Sequence, residues 1–509
     1  METLNWISLA GIFIMVALAW TVSSHRTRVN WRLVAIGILL QAALAAVLFE
    51  SQNWTFTENY RSFSELQQSV DSGGISVEAV DQYLSADDAT SYGALSTEIQ
   101  AGTKTLSEVN DSLGEMAIAK YPSGILFAGV NAFFAAINDY VREGSAFVFR
   151  ANAVPEDNPT DPMVLLGTFA FGVLPTVIFF ASLMSILYYL GLMQLLIRGM
   201  AWVMQKTLGT SGPESMAAAA NVLVGHTEAP LVIRPYVENM TRSELNALMV
   251  GGFATISGSL MAIFVFYGIS AGHLLTASII SAPAALVIAK VLQPETETPK
   301  EVTAVSMAPE QVATNVIEAA AIGASDGVKL AINITGMLIA FLALLALLNA
   351  MVMGLGELTQ YLINLGRSGE DVDLHWSMNN LFSMLFYPLA WIMGIESGDC
   401  AIAGELLGKK VVVNEFIAYS EMGEIMDGKV LDASGNVVTM TDRTRVILTY
   451  ALCGFSNFGA IGIQIGGIGP LAPERRSDLA QLGLRAMFGG MLAACMTACM
   501  AGVMYGWLN

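Results

Sequence analysis

Long stretches of this chain carry no Asp, Glu, Lys or Arg, and that limits the fold more than any other feature. The charge-free runs are Thr3–Val22, Leu33–Phe49, Met163–Ile197, Leu245–Ala289, Leu330–Gly356, Val446–Ala472 and Ala486–Asn509. A helix needs about 20 apolar residues to cross a bilayer. Leu245–Ala289 has 45 residues, enough for two crossings, with Gly268–Gly272 as the turn. Met163–Ile197 exceeds one span, so its end is expected along the interface. The expectation is an all-α polytopic membrane protein with eight transmembrane helices. Thr3–Val22 is longer than a secretory h-region and no small-residue cleavage site follows it, so it reads as a retained helix.

Composition agrees. Charged residues make up 13% of the 509 and mean hydropathy is +0.57, against about 25% charged in soluble domains. The net charge of −19 is uneven, because residues 51–160 hold fifteen carboxylates against five basic residues. Acidity of this kind excludes a nucleic-acid partner, which would need a basic footprint. Cys400, Cys453, Cys495 and Cys499 lie in or beside apolar stretches and have no metal-site spacing with His25, His226, His273 or His375. They read as small structural residues.

Basic loops set the orientation. Arg26, Arg28 and Arg32 lie between the first two spans with no acid among them, which places that loop in the cytoplasm. Alternation then puts both termini and the acidic 51–160 segment outside. Six regions follow: 1–50, two N-terminal helices; 51–160, an acidic periplasmic insertion, helical in part over 51–120, with an interfacial segment at Gly124–Asn138; 161–293, a first transport repeat with the first hairpin; 294–329, a cytoplasmic linker and interfacial helix; 330–373, a scaffold helix and outer loop; and 374–509, a second transport repeat with the second hairpin.

Two segments break the rule of a smooth membrane helix. Gly209–Pro235 has apolar pieces too short to cross, split by Gly225, His226, Thr227 and Glu228. Gly394–Tyr419 is a second short pair, with Lys409, Lys410, Asn414 and Glu415 near its turn. Backbone leaving a helix in lipid must line protein or water, since unpaired amides cost several kcal/mol there. Two re-entrant hairpins satisfy this. Each is followed by a span interrupted by glycine, at Gly251–Ser259 and at Gly454–Gly459. A hairpin with a Glu, then an interrupted span, thus occurs twice, from opposite sides, as inverted repeats holding a substrate near the midplane would require. Carboxylates at that depth are costly and mark a pathway or site, which singles out Glu228 and Glu415. Glu214, Asp326 and Glu474 are placed nearer the interfaces, where solvated or capping roles fit them as well as a functional one.

At these residues the sequence resembles the concentrative nucleoside transporters. The similarity rests on GTSGPESMAAAANVLVGHTEAPLVIRPY, ATISGS, GKKVVVNEFIAY and TYALCGFSNFGAIGIQIGGIG, and extends over roughly 124–509. The family signature Gly-x-Lys-x-x-x-Asn-Glu-Phe-(Val/Ile)-Ala is met by Gly408, Lys410, Asn414, Glu415, Phe416, Ile417 and Ala418. The resemblance implies a bacterial inner-membrane symporter, not an enzyme, that imports nucleosides as a homotrimer. It places His226, Thr227 and Glu228 at the base, Glu415 and Asn457 at the ribose hydroxyls with Phe455 beside them, and Leu260 among the substrate-binding residues. Asn221, Val224, Thr255 and Ile256 match a site for co-transported sodium, with proton coupling as the alternative.

Two positions depart from the family pattern: His226 stands where Gln is common, and Ala460 where a ribose-binding Ser is common. Readings from other classes fare worse. Gly268–Gly272 matches G-x-S-x-G, but a nucleophile elbow needs a strand-to-helix turn. A channel would favour a ring-lined pore over single carboxylates on hairpins.

Overall fold

The computed structural model describes residues 3–50, 56–60, 116–121, 125–148, 169–226, 228–299, 313–365, 376–431 and 435–508. They form two compact units, Ala46–Phe133 and the combination of Met1–Ala45 with Phe134–Asn509. In the smaller unit β1 (Phe56–Tyr60) pairs antiparallel with β2 (Met116–Tyr121), with an irregularity between Phe56 and Thr57. These strands flank the segment in which partial helix was expected. Residues 61–115 lie outside the described set.

All other regular elements among the described residues are helical. In the larger unit or at its edge stand α1 (Thr3–Thr21), α2 (Trp31–Glu50), α3 (Ile125–Val148), α4 (Leu174–Tyr189), α5 (Leu192–Leu208), α6 (Gly212–Val224), α7 (Ala229–Val232), α8 (Arg234–Val237), α9 (Arg242–Ala254) and α10 (Gly258–Phe266). Then follow α11 (Ala271–Leu292), α12 (Val316–Asn364), α13 (Met378–Ile392), α14 (Cys400–Val412), α15 (Glu415–Met426), α16 (Asp442–Leu452), α17 (Phe458–Ile468) and α18 (Arg476–Leu508).

Five described helices are long and apolar enough to cross a membrane, and a sixth candidate is α4 with α5, bent by 77° at Leu190–Gly191. The expected crossings correspond to α1, α2, α4, α9 with α10, α11, α12, α16 with α17, and α18. The two composite spans fail a length test for a physical reason. Their halves hold only 13 and 9, and 11 and 11 residues, because the backbone leaves the helix midway. Beyond its bend α5 buries Met193, Ile197 and Met204 and exposes Leu195, Leu196 and Trp202, as an interfacial helix would.

The ends of these helices are written locally. Ser211 caps α6 with Pro213 in its first turn, Thr241 and Glu244 form a capping box on α9, and Ser270 caps α11. The serine of the G-x-S-x-G match is thus a helix cap. Asn315 caps α12, whose 49 residues cross the boundary drawn at 329/330 without interruption. At about 1.5 Å per residue that is about two and a half times a hydrocarbon core of about 30 Å. Before its first turn, Thr314 donates from its N–H and its hydroxyl to Glu318, both at 2.6 Å, which holds that carboxyl below its usual range.

Close packing uses the glycines. A side chain on Gly404 or Gly408 would meet Ser383 or Phe382 of α13, so Gly408 of the signature seats α14 on α13. That helix was not foreseen, although residues 374–395 are also free of charge. Buried Arg443 ties α16 to α1, donating to Asn5 Oδ1 (2.6 Å), Ser8 Oγ (3.0 Å) and the Gly394 carbonyl (2.9 Å). The four cysteines are buried and free.

Candidate binding site at two helix breaks

Between α9 and α10 the chain is extended: Thr255 has φ −122° and ψ 161°, and Ser257 has φ −79° and ψ 151°. Between α16 and α17 the helix breaks again, with Cys453 and Asn457 extended. The two breaks touch. Gly454 has φ +126°, and a Cβ there would fall 2.7 Å from the Phe253 carbonyl oxygen and 2.9 Å from the Ala254 carbonyl carbon. Only glycine suits both the left-handed backbone and that approach. Ser456 Oγ donates to the Phe253 carbonyl at 2.9 Å, fastening one break to the other.

The first hairpin closes on the first break. Gly225 turns the chain after α6 with φ +83°, and a Cβ on it would meet Ser257 Cβ at 2.7 Å. One turn earlier, Asn221 is 1% exposed and lies against Gly251, and neither of its amide atoms has a hydrogen-bond partner among the described residues. Thr255 Oγ1 donates to the Gly251 carbonyl at 2.9 Å. Val224 ends α6, and Ile256 lies fully buried in the break. The four residues matched to a cation site therefore converge on two unwound backbone ends. Their donor set is oxygen: an amide, a hydroxyl and carbonyls, which suits a hard cation. An unsatisfied buried amide costs about 1–3 kcal/mol, so a ligand for Asn221 would offset a real penalty.

The second hairpin closes on the second break. Asn414 caps α15 by accepting from the Ile417 N–H at 3.1 Å, which fixes Glu415 at the first position of that helix. Glu415 is 1% exposed and accepts from Asn457 Nδ2 at 3.1 Å. Asn457 also caps α17, accepting from the Ala460 N–H at 2.8 Å. Both ends of its amide are thus committed and its orientation is set. Two further bonds bind the hairpin to α16: Lys410 Nζ donates to the Ala451 carbonyl at 2.7 Å, and Tyr419 OH to the Thr449 carbonyl at 2.6 Å. Lys410 was quoted in the signature without a role; here it satisfies a carbonyl that the end of α16 leaves free.

Between the hairpins, the rings of His226 and Phe455 lie 4.4 Å apart. Both imidazole nitrogens are buried and have no hydrogen-bond partner among the described residues. Leu260 is buried in the first turn of α10. Glu228 is exposed and lies within electrostatic reach of Tyr188 and Asp326. Thr227 lies outside the described residues. Glu214, expected near an interface, is 2% exposed and pairs with Lys290 at 2.8 Å, so it is not solvated. Asp326 and Glu474 are exposed, as expected. A cavity of about 630 Å³ separates α12 from α15, with Thr335, Phe416, Ile417 and Ser420 in its wall.

Sequence reasoning passed over Gln464, which is 1% exposed and donates to the Met249 carbonyl at 3.1 Å. A signal was available: it is a polar residue in a charge-free run, seven positions beyond Asn457 and on the same helix face.

The chain is similar to known proteins. Family profiles described as Na+ dependent nucleoside transporter N-terminus, nucleoside recognition, and Na+ dependent nucleoside transporter C-terminus match residues 10–58, 170–271 and 273–502. Solute carrier family 28 member 3 of Eptatretus stoutii is 47% identical over 342 residues, 66% of this chain and 48% of that protein. An uncharacterized transporter of Haemophilus influenzae is 44% identical over 374 residues, 72% of this chain and 82% of that protein. The solved structure of CNTnw in an inward-facing substrate-bound state superposes with a TM-score of 0.74 at 33% identity, covering 99% of each chain. The chain thus spans about half the length of the Eptatretus relative and nearly all of CNTnw. It belongs to the Na+ dependent nucleoside transporter family.

Proposed function

We propose that this protein is a secondary active symporter that brings nucleosides across a bacterial inner membrane together with a cation, sodium in preference to a proton. The observation that carries the reading is the buried Glu415–Asn457 pair at the contact of two broken spans. A carboxylate accepting from one amide N–H keeps further lone pairs for hydroxyls. Hydrogen bonds to a charged partner are worth about 1.5–3 kcal/mol each, and a ribose diol is a fitting donor. His226 and Phe455 stand where a base would be read, with Leu260, Thr227 and Glu228 completing the family's substrate set.

Sodium is the favoured companion because Asn221 brings an unpartnered amide to the hydroxyl and carbonyls of Val224, Thr255 and Ile256. The cation and nucleoside sites share the first break, so each ligand would organise the backbone that the other uses. A proton-coupled mechanism would instead draw on a carboxylate open to solvent, such as Glu228. Membership of the family supports a homotrimer with one path per subunit, and the basic loops support both termini in the periplasm.

Nucleoside binding to purified protein, titrated with sodium at constant pH, tests the reading. Affinity should rise with sodium, and sodium affinity should rise by the same factor with nucleoside, because binding linkage is reciprocal. Binding that responds to pH and ignores sodium would transfer the coupling to protons.

A further inference from the structure

Gln464 has more to do than join two helices. Its Nε2 is committed to the Met249 carbonyl, which turns Oε1 the other way. That oxygen is buried and has no hydrogen-bond partner among the described residues. Gly252 shows where the carboxamide lies: a Cβ built there would meet Gln464 Nε2 at 2.7 Å and His226 Cβ at the same 2.7 Å. The two side chains therefore both border the same glycine, which leaves them room. His226 likewise keeps two buried, unpartnered nitrogens. Natural proteins pair nearly all buried polar groups. An unpaired acceptor beside an unpaired imidazole, at the contact of both helix breaks, is thus an arrangement that awaits a polar ligand.

We propose that Gln464 is a base-reading residue, whose Oε1 accepts an N–H from the edge of the nucleoside base while His226 serves the neighbouring position. This rests on the nucleoside reading above and adds a residue to it. The chemistry is complementary. The hydrogen-bonding edges of adenine and cytosine place an amine beside a ring acceptor, and that of uracil places a ring N–H beside a carbonyl. A fixed acceptor from Gln464 and an N–H from a neutral His226 match either pattern. The anchored amide matters, because a freely rotating carboxamide would offer donor and acceptor alike and discriminate poorly.

The test uses pairs of ligands that differ at the N–H: adenosine and purine riboside, cytidine and pyrimidin-2-one riboside, uridine and N3-methyluridine. Competition binding is measured at saturating sodium for wild type and Gln464→Met. Wild type should prefer the N–H-bearing member of each pair it binds by about 5- to 10-fold, the worth of one hydrogen bond. In Gln464→Met that ratio should collapse towards one. A purely structural role for Gln464 would weaken both members alike and preserve the ratio, which would overturn the proposal, as would a wild type that binds both members equally. If Gln464→Met does not fold, Gln464→Asn keeps the amide but withdraws its oxygen by one methylene and should lower the ratio in the same way. A wild type that binds none of the six nucleosides removes the nucleoside reading itself, a result distinct from binding without discrimination.

Discussion

Asn457 donates to Glu415 at 3.1 Å while accepting from the Ala460 N–H at 2.8 Å, so one amide caps a broken span and holds the carboxylate of the facing hairpin. Position and charge at the proposed ribose site are therefore set by the same residue that starts α17.

Glu415→Gln should lower nucleoside affinity by at least about tenfold, since a charge-assisted acceptor worth about 1.5–3 kcal/mol becomes a neutral one. Membrane insertion and thermal stability should change little, because the amide is isosteric. Isothermal titration on detergent-purified protein reads this directly, and unchanged affinity would place the sugar elsewhere.

Asn221→Ala with Thr255→Ala should raise the sodium concentration for half-maximal binding and weaken nucleoside binding in step. Removal of a buried, unpartnered amide relieves a desolvation cost that offsets the lost Thr255–Gly251 hydrogen bond, worth about 1 kcal/mol, so the apo protein should change little in stability. A melt recorded with and without sodium separates the two effects: wild type should gain stability from sodium and the variant should not.

Ala460→Ser places a hydroxyl one turn from Asn457, in a buried position. It should tighten nucleoside binding by up to about 1 kcal/mol, the net value of a neutral hydrogen bond. Competition binding of ribonucleosides against 3′-deoxynucleosides shows whether the gain comes from the sugar.

Lys290→Met should destabilise the protein by about 3–5 kcal/mol, because it strands Glu214, 2% exposed, without its cation. Adding Glu214→Gln to the same protein should recover much of that loss. Thermal melts of the two single variants and the double variant measure the coupling.

Much of this was legible in the sequence because membranes impose simple rules. Charge-free runs marked the spans, and glycine clusters at 251–259 and 454–459 marked the breaks, since both signals are local. The carboxylate of Glu415 stood out for the same reason. What escaped depends on contacts between distant segments. Nothing near Glu228 in the chain says that it lies within electrostatic reach of Tyr188 and Asp326, and nothing near Glu214 says that Lys290 waits 76 positions away. Gln464 reads as an ordinary polar residue until Gly252 brings it to His226. The strands at 56–60 and 116–121 were missed because their pairing spans the whole insertion.

The central claim is that a cation gradient drives nucleoside accumulation through the site held by Glu415 and Asn457. Uptake of labelled uridine and adenosine into proteoliposomes, with sodium and pH gradients imposed separately, tests it most directly. An inward sodium gradient alone should drive at least one nucleoside above its external concentration, and Glu415→Gln should abolish that accumulation. Uptake that only equilibrates under every gradient, or accumulation that survives in the variant, would contradict the account.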